Sequence, residues 1–225
     1  MIGGLLVKRL RQLVLIRPNA SLLALIITYV IATGLYPLFN KPLEQTYYLG
    51  TAIDDWLAFS PVWIIPYVLW YLYLPSVGFL LVFRDKRTGG LTLLTMILGL
   101  FCSYLTYSVF QTTVPRPEVL GGDLCSRLVR LIYSIDQPYN AFPSIHVLIT
   151  CALMLGTARA ENLGKSVKAV IWLSGWLIIF STVFVKQHVL ADIFGGIAIA
   201  LGLHSLLRRF LDRLRERPGQ PYSQW

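Results

Sequence analysis

The chain has 225 residues, of which 56% are hydrophobic and only 14% are charged, and its formal net charge is +9. An ordinary soluble domain has about 25% charged residues, so this composition excludes a typical soluble fold. Long apolar stretches take the place of short amphipathic segments, which predicts an all-α, polytopic membrane protein. We expect a single membrane domain over residues 1–225.

Six apolar stretches predict six transmembrane helices in one bundle. The second would form a helix of roughly 33 Å at about 1.5 Å per residue, enough to cross the hydrocarbon core of a bilayer. The fourth stretch is short unless its helix begins near Ser144. The predicted spans are residues 21–38, 62–83, 91–111, 147–158, 169–185 and 189–207.

The distribution of Lys and Arg predicts the orientation of this bundle. Six spans leave both termini on one side, and 15 of the 20 basic residues then lie there, many of them in the N-terminal segment 1–20 and the basic tail 208–225. The positive-inside rule therefore predicts that both termini are cytoplasmic. Membrane lipids with anionic headgroups account for the positive charge, so we predict no nucleic-acid partner.

Polar residues from three segments are predicted to meet on the outer side, near the loop 112–146. Arg116 follows the third span, and His146 and His188 each begin a span that runs inward, so all three lie at one depth. Asp192 follows His188 by four residues and shares its helix face. A carboxylate beneath a histidine can orient the imidazole for catalysis, or it can serve as a structural pair that joins helices.

The sequence PSIH at residues 143–146 predicts the start of a helix. Free backbone N–H groups at Ser144 and Ile145, together with the Ser144 hydroxyl, would bind an anion there. Arg116 and Lys186 would add positive charge suited to phosphate oxygens. This combination with the two histidines is what phosphoryl transfer needs. A metal site is the alternative, but one carboxylate among several cations is a poor ligand set, and we predict neither a metal nor a cofactor.

These motifs resemble the type 2 phosphatidic acid phosphatase superfamily of membrane enzymes. Arg116-Pro117 is similar to the end of the family's first motif, and residues 143–146 are similar to the second. Ser181, His188 and Asp192 are similar to the third. The resemblance covers most of the chain from about residue 54, and it is the order of the three motifs that makes it specific.

The resemblance implies a role for each site residue. His188 would attack phosphorus to form a phosphohistidine, Asp192 would orient it, and His146 would protonate the leaving group. Arg116, Ser144 and backbone N–H groups would hold the phosphate, with no metal required.

Two positions differ from the family's pattern. Val109 stands where the first motif has a lysine, and Thr182 stands where the third motif has an arginine. We predict that Lys186 supplies the missing charge from a different turn. The stretches IDDWLAF and KQH are also similar to a branch related to inositol phosphorylceramide synthases, which transfer phospho-headgroups between lipids.

The sequence leaves the roles of three residues in the predicted outer segments open. Asp54 and Asp55 are predicted to be solvated loop acids, with a site role as the alternative. Cys125 has no obvious partner, and three cysteines without CxxC spacing predict neither a zinc site nor a disulfide framework.

The sequence supports three hypotheses about function. The leading one is an integral-membrane lipid phosphatase that hydrolyses a phosphomonoester or diphosphate at the outer face, with phosphatidate, phosphatidylglycerophosphate or a polyprenyl diphosphate as substrate. The second is a lipid phosphotransferase with an alcohol acceptor, and the third is a non-catalytic transporter or scaffold. We expect a bacterial inner membrane with the site on the extracytoplasmic side. The lipid, the acceptor, the oligomeric state and the organism stay open.

Overall fold

The computed structural model describes residues 18–215 of the chain. Most of the predicted N-terminal segment and the end of the predicted basic tail lie outside this range. The described range is helical, with isolated β-bridges between loop residues. The helices are α1 (Pro18–Gly34), α2 (Tyr36–Phe39), α3 (Ala52–Trp56), α4 (Ile64–Arg84), α5 (Lys86–Val109), α6 (Leu124–Ile135), α7 (Ile145–Arg159), α8 (Lys165–Phe184) and α9 (Leu190–Arg215), with a 3-10 turn at Pro61–Trp63.

Five segments are long and apolar enough to cross a membrane, which confirms the all-helical membrane fold. They are Asn19–Phe39, Pro61–Arg84, Lys86–Val109, Lys165–Phe184 and Leu190–Arg213. Each overlaps one of the predicted spans. The remaining predicted span corresponds to α7, which has 15 residues and is about 22 Å long at about 1.5 Å per residue. Six full spans and cytoplasmic termini therefore stay predictions.

The short helix α7 occupies the centre of the bundle. It packs against α4, α5, α8 and α9, and every residue from Val147 to Thr157 is buried except Leu155, which is half-buried. A helix that is apolar around its whole circumference is typical of such a central position. Because α7 contacts protein on all sides, its length is not required to match the thickness of the hydrocarbon core.

A glycine brings α9 against the first turn of α7. A Cβ atom added at Gly196 would lie 2.7 Å from the carbonyl oxygen of Ser144 and 3.1 Å from the backbone nitrogen of Leu148. Both neighbours are backbone atoms and cannot rotate away, so the absence of a side chain permits this approach. The contact brings the beginning of α9 next to the beginning of α7.

Loops cover the end of the bundle where α7 and α9 begin, which we call the site end. The backbone N–H of Tyr47 donates to the Gln111 carbonyl at 2.9 Å, and the N–H of Thr113 donates to the Tyr47 carbonyl at 2.8 Å. The buried Gln111 side chain also donates to the Lys41 carbonyl at 2.8 Å and to Asn140 Oδ1 at 3.0 Å. These bonds join the loops that precede α3, α6 and α7 into one layer.

Candidate active site

His188 lies in the turn between α8 and α9, where the backbone is tightly bonded. The N–H groups of Gln187 and His188 both donate to the carbonyl of Thr182, at 2.9 and 3.1 Å. Lys186 has a φ of 50°, in the left-handed region that a non-glycine residue rarely adopts. His188 itself is 7% exposed. The turn therefore holds the imidazole at a fixed place under the site-end loops.

Asp192 lies directly beneath His188. Its Oδ2 atom is 3.3 Å from Nδ1 of His188 and also accepts the backbone N–H of Val189 at 2.9 Å. Asp192 is fully buried. A carboxylate on Nδ1 fixes the histidine with its proton on that nitrogen and leaves Nε2 free to act as a nucleophile or base. His188 and Asp192 therefore lie next to each other, as their four-residue spacing predicted.

His146, at the start of α7, faces His188. The two ring centroids are 6.1 Å apart, a separation that lets one small group contact both rings. Trp70 and Tyr67 of α4 pack against His146, with ring centroids at 4.3 and 5.0 Å. Its Nε2 atom is buried and has no hydrogen-bond partner in the described part of the chain. This nitrogen is available for a ligand.

Ser144 caps α7 rather than presenting a free N–H group. Its hydroxyl oxygen accepts the N–H of Val147 at 3.3 Å, and its own N–H donates to the carbonyl of Asp192 at 3.1 Å. The prediction of a free N–H at Ser144 was therefore wrong, because the close approach of α9 supplies an acceptor. Ile145, the first residue of α7, does line the cavity described below.

Arg116 reaches the site and is held by three acceptors. Its Nη1 group donates to the carbonyls of Asp136 at 2.6 Å and Tyr133 at 3.2 Å, and its Nη2 group donates to Oε1 of Gln187 at 2.7 Å. The guanidinium also stacks over the Tyr133 ring at 4.5 Å. Burial lowers the pKa of Arg116 from its ordinary value, and the nearby Asp136 opposes that change. The planar group is fixed next to the residue that precedes His188.

Lys186 is bonded to the segment that contains Asp54. Its Nζ atom donates to the backbone carbonyl of Asp54 at 2.9 Å, and Lys186 does not line the cavity. This arrangement does not support the prediction that Lys186 binds phosphate. The spacing did not predict the left-handed backbone of Lys186 or its bond to the segment that contains Asp54.

Asp54 is buried, so its prediction as a solvated loop acid was wrong. It is 2% exposed, whereas Asp55 is exposed as expected. One carboxylate oxygen accepts the N–H of Leu190 at 2.7 Å, and the other accepts the N–H and the hydroxyl of Thr51, each at 2.8 Å. Burial acts to raise the pKa of Asp54, but the N–H donors of Leu190 and Thr51 outweigh it and lower the pKa.

A cavity of about 330 Å³ opens between these residues, within the usual range for ligand sites. Both histidines, Arg116 and Gln187 line it, together with aromatic side chains that include Tyr36, Trp70 and Tyr107. The rings of His146 and His188 both border this cavity. Its walls combine apolar aromatic area with a few polar groups, as ligand pockets usually do.

Three polar residues in the wall of the cavity were not predicted as site residues: Asp136, Asn140 and Gln187. Asp136 accepts hydrogen bonds through Oδ1 from the Tyr36 hydroxyl and from Nδ2 of Asn40, both at 2.9 Å. Nδ2 of Asn140 and Nε2 of Gln187 are buried without a partner among the described residues. Gln187 has one signal in the sequence, its position next to His188, but the other two have none.

The described residues do not provide a ligand set for the alternative of a metal site. Among residues 18–215, no group of three or more His, Cys, Asp or Glu side chains is close enough to hold a metal ion. Cys102, Cys125 and Cys151 are free thiols. The partly buried Cys125 packs against an apolar cluster that includes Val129 and Ile132 of α6.

Comparison with known families identifies the class of protein. The family model of the PAP2 superfamily matches residues 88–216, more than half of the chain, so the chain belongs to that superfamily. The match covers Arg116, both histidines and Asp192, and it begins after helix α3, which contains Asp54. No curated protein matches the chain. Membership supports a phosphatase or phosphotransferase that acts on phosphorylated, lipid-like substrates in a membrane, while the similarity to inositol phosphorylceramide synthases stays a prediction.

Proposed function

We propose that the protein is a metal-independent lipid phosphatase that acts at the extracytoplasmic face of a bacterial inner membrane. One observation carries this proposal: the His188–Asp192 pair faces His146 across 6.1 Å of a cavity that Arg116 also lines. The substrate is a phosphomonoester or diphosphate of a lipid, such as phosphatidate, phosphatidylglycerophosphate or a polyprenyl diphosphate.

The reaction proceeds through a phosphohistidine. Nε2 of His188 attacks phosphorus, forming an N–P bond as the P–O bond to the lipid breaks, and Asp192 stabilises the imidazolium that results. Protonated His146 gives its proton to the leaving oxygen. A water molecule then attacks phosphorus, neutral His146 takes its proton, and the N–P bond breaks to release inorganic phosphate. Arg116 stabilises the negative charge in both steps.

A panel of lipids tests this proposal. Purified protein in detergent is given each candidate lipid, and released phosphate is measured with and without excess EDTA. We expect release from at least one lipid phosphate and no loss of rate in EDTA, because Arg116 and the first turn of α7 already supply positive charge. Activity that EDTA abolishes and added zinc or magnesium restores would contradict the metal-independent mechanism.

The polar wall around Asp136 favours a second candidate, transfer of the phosphoryl group to an alcohol. Asp136 lies in the wall of the cavity, where its Oδ1 atom accepts hydrogen bonds from Tyr36 and Asn40. Asp136 as acceptor, with the unpaired amide N–H groups of Asn140 and Gln187 as donors, suits a hydroxylated group. In this reaction an alcohol oxygen replaces water, and His146 takes the hydroxyl proton.

Product analysis separates the two candidates. The same assay is run with glycerol or a cyclic polyol present, and the products are identified by mass spectrometry. A phosphorylated polyol formed by wild-type protein, and lost in Asp136→Ala while phosphate release continues, would establish the alcohol acceptor. Phosphate release with no phosphorylated polyol at any concentration would leave water as the acceptor.

A further inference from the structure

The short helix α3 buries one carboxylate against the turn that carries His188. Asp54 is 2% exposed, although its neighbours on either side, Ile53 and Asp55, are exposed. Burying a carboxylate is costly unless hydrogen bonds satisfy it. The match to the superfamily covers residues 88–216, and Asp54 precedes it in the chain.

The carboxylate of Asp54 binds the first residue of α9. Its Oδ1 atom accepts the N–H of Leu190 at 2.7 Å, and its Oδ2 atom accepts the N–H and hydroxyl of Thr51 at 2.8 Å. The first N–H groups of a helix have no acceptor within the helix, and a negative charge is favourable at that end. Asp54 therefore anchors the beginning of α9, two residues after His188.

A second bond ties the other side of His188 to the same residue. Nζ of Lys186 donates to the backbone carbonyl of Asp54 at 2.9 Å. The left-handed φ of 50° at Lys186 is costly for a residue with a side chain, and this bond helps to hold it. Asp54 is thus bonded to residues two positions before and two positions after His188.

The acceptors of the four backbone N–H groups from residue 187 to residue 190 show what Asp54 adds to this turn. Those of Gln187 and His188 bond to Thr182 of α8, and that of Val189 bonds to Asp192 of α9, so these acceptors belong to the two helices that the turn connects. The N–H of Leu190 bonds to Asp54, which belongs to a separate segment. Asp54 therefore fixes the turn relative to the loops that cover the site end.

We propose that Asp54 is a positioning residue for His188, an inference that rests on the proposed phosphohistidine mechanism. Asp54 is not among the residues that line the cavity, and its hydrogen bonds to this turn go to Leu190 and Lys186, so it acts through the backbone of the turn. A nucleophile must be held to a fraction of an ångström, and a misplacement of about 1 Å can cost on the order of 10²-fold in rate. Loss of Asp54 will slow the attack on phosphorus without weakening substrate binding.

Four variants test this proposal: Asp54→Ala, Asp54→Asn, Lys186→Met, and Asp55→Ala as the matched control. For each, kcat and KM on the best lipid substrate and the melting midpoint in detergent are measured. We expect Asp54→Ala to lower kcat by about 10²-fold with KM unchanged. Asp54→Asn keeps one oxygen for Leu190 and should recover part of the rate. Asp55→Ala should match the wild type.

Lys186→Met keeps the proposal testable if Asp54→Ala does not fold. We expect this variant to lower kcat at constant KM, since it removes one of the two ties, whereas a phosphate-binding lysine would raise KM when lost. A kcat of Asp54→Ala equal to that of the wild type would overturn the proposal. So would an unchanged kcat in Lys186→Met, or a loss in either variant that appears in KM alone. Absence of turnover in the wild type would instead contradict the proposed function.

Discussion

The two histidines have different surroundings, which indicates different tasks. His188 has a buried carboxylate on Nδ1 and a turn whose backbone N–H groups are all bonded. His146 packs against the rings of Trp70 and Tyr67, and its buried Nε2 atom has no hydrogen-bond partner among the described residues. An oriented, carboxylate-backed imidazole suits a nucleophile, and an imidazole with a free nitrogen at the same cavity suits an acid. We therefore expect substitution of His188 and of His146 to affect activity differently.

Replacing each histidine by alanine should separate these tasks. His188→Ala removes the nucleophile and should abolish turnover of every substrate. His146→Ala should slow lipid substrates by about 10²–10⁴-fold, because their leaving oxygen needs a proton. A nitrophenyl phosphate, whose leaving group needs no proton, should be partly spared in His146→Ala and not in His188→Ala. Steady-state rates on both substrates check this prediction, and equal losses in His146→Ala on both would contradict its role as the acid.

At the scale of elements, the site depends on how closely α9 approaches α7. Gly196 allows the contact, and the bond from Ser144 N–H to the Asp192 carbonyl at 3.1 Å lies in the same interface. Asp192 then supports His188, and Ser144 caps the helix that begins next to His146. This helix–helix contact therefore contributes to the distance between the two histidines.

A methyl group at position 196 should disturb that contact. Gly196→Ala introduces a Cβ atom 2.7 Å from a backbone oxygen, and such overpacking typically costs about 1–3 kcal/mol. We expect a lower melting midpoint and a lower kcat. Gly202→Ala on the same helix is the control, because a Cβ atom there meets nothing within 4 Å. If the two variants had equal melting midpoints and rates, the contact would not set the geometry of the site.

Elements and site residues differ in how far the sequence could predict them. The five long apolar helices and the His188–Asp192 pair follow from patterns within one segment, and a local pattern is visible in a sequence. The length of α7 depends on its being surrounded by other helices. The burial of Asp54 depends on its bond to Leu190, 136 residues away. Such contacts depend on the packing of segments that are distant in the chain, so no local sequence pattern predicts them.

At the scale of the whole molecule, the candidate site and most of the described basic residues lie at opposite ends of the bundle. The end away from the site gathers the junctions α4–α5 and α7–α8 and the last turns of α9. Arg87 pairs there with Asp212 at 2.9 Å, and Nδ2 of Asn162 donates to the Arg84 carbonyl at 3.0 Å. The separation agrees with the charge asymmetry of the sequence, which the positive-inside rule converts into an orientation.

Reporter fusions test this orientation. A reporter that is active only outside the cytoplasm should be active when fused after Pro138, in the site-end loop between α6 and α7. It should be inactive when fused after Gly164, between α7 and α8. The reason is the excess of Lys and Arg, 15 of 20, predicted on the side of the termini. The reverse pattern would place the site on the cytoplasmic side.

The phosphohistidine at His188 is the central claim, and trapping it is the most direct test. Wild-type protein and His188→Ala are mixed with a radiolabelled form of the most rapidly hydrolysed lipid in excess EDTA, quenched in alkali and mapped by peptide mass spectrometry. We predict an acid-labile, alkali-stable phosphate on the wild-type peptide that contains His188, and none on the variant. Turnover of the wild type without protein-bound phosphate, or label that persists in His188→Ala, would contradict it.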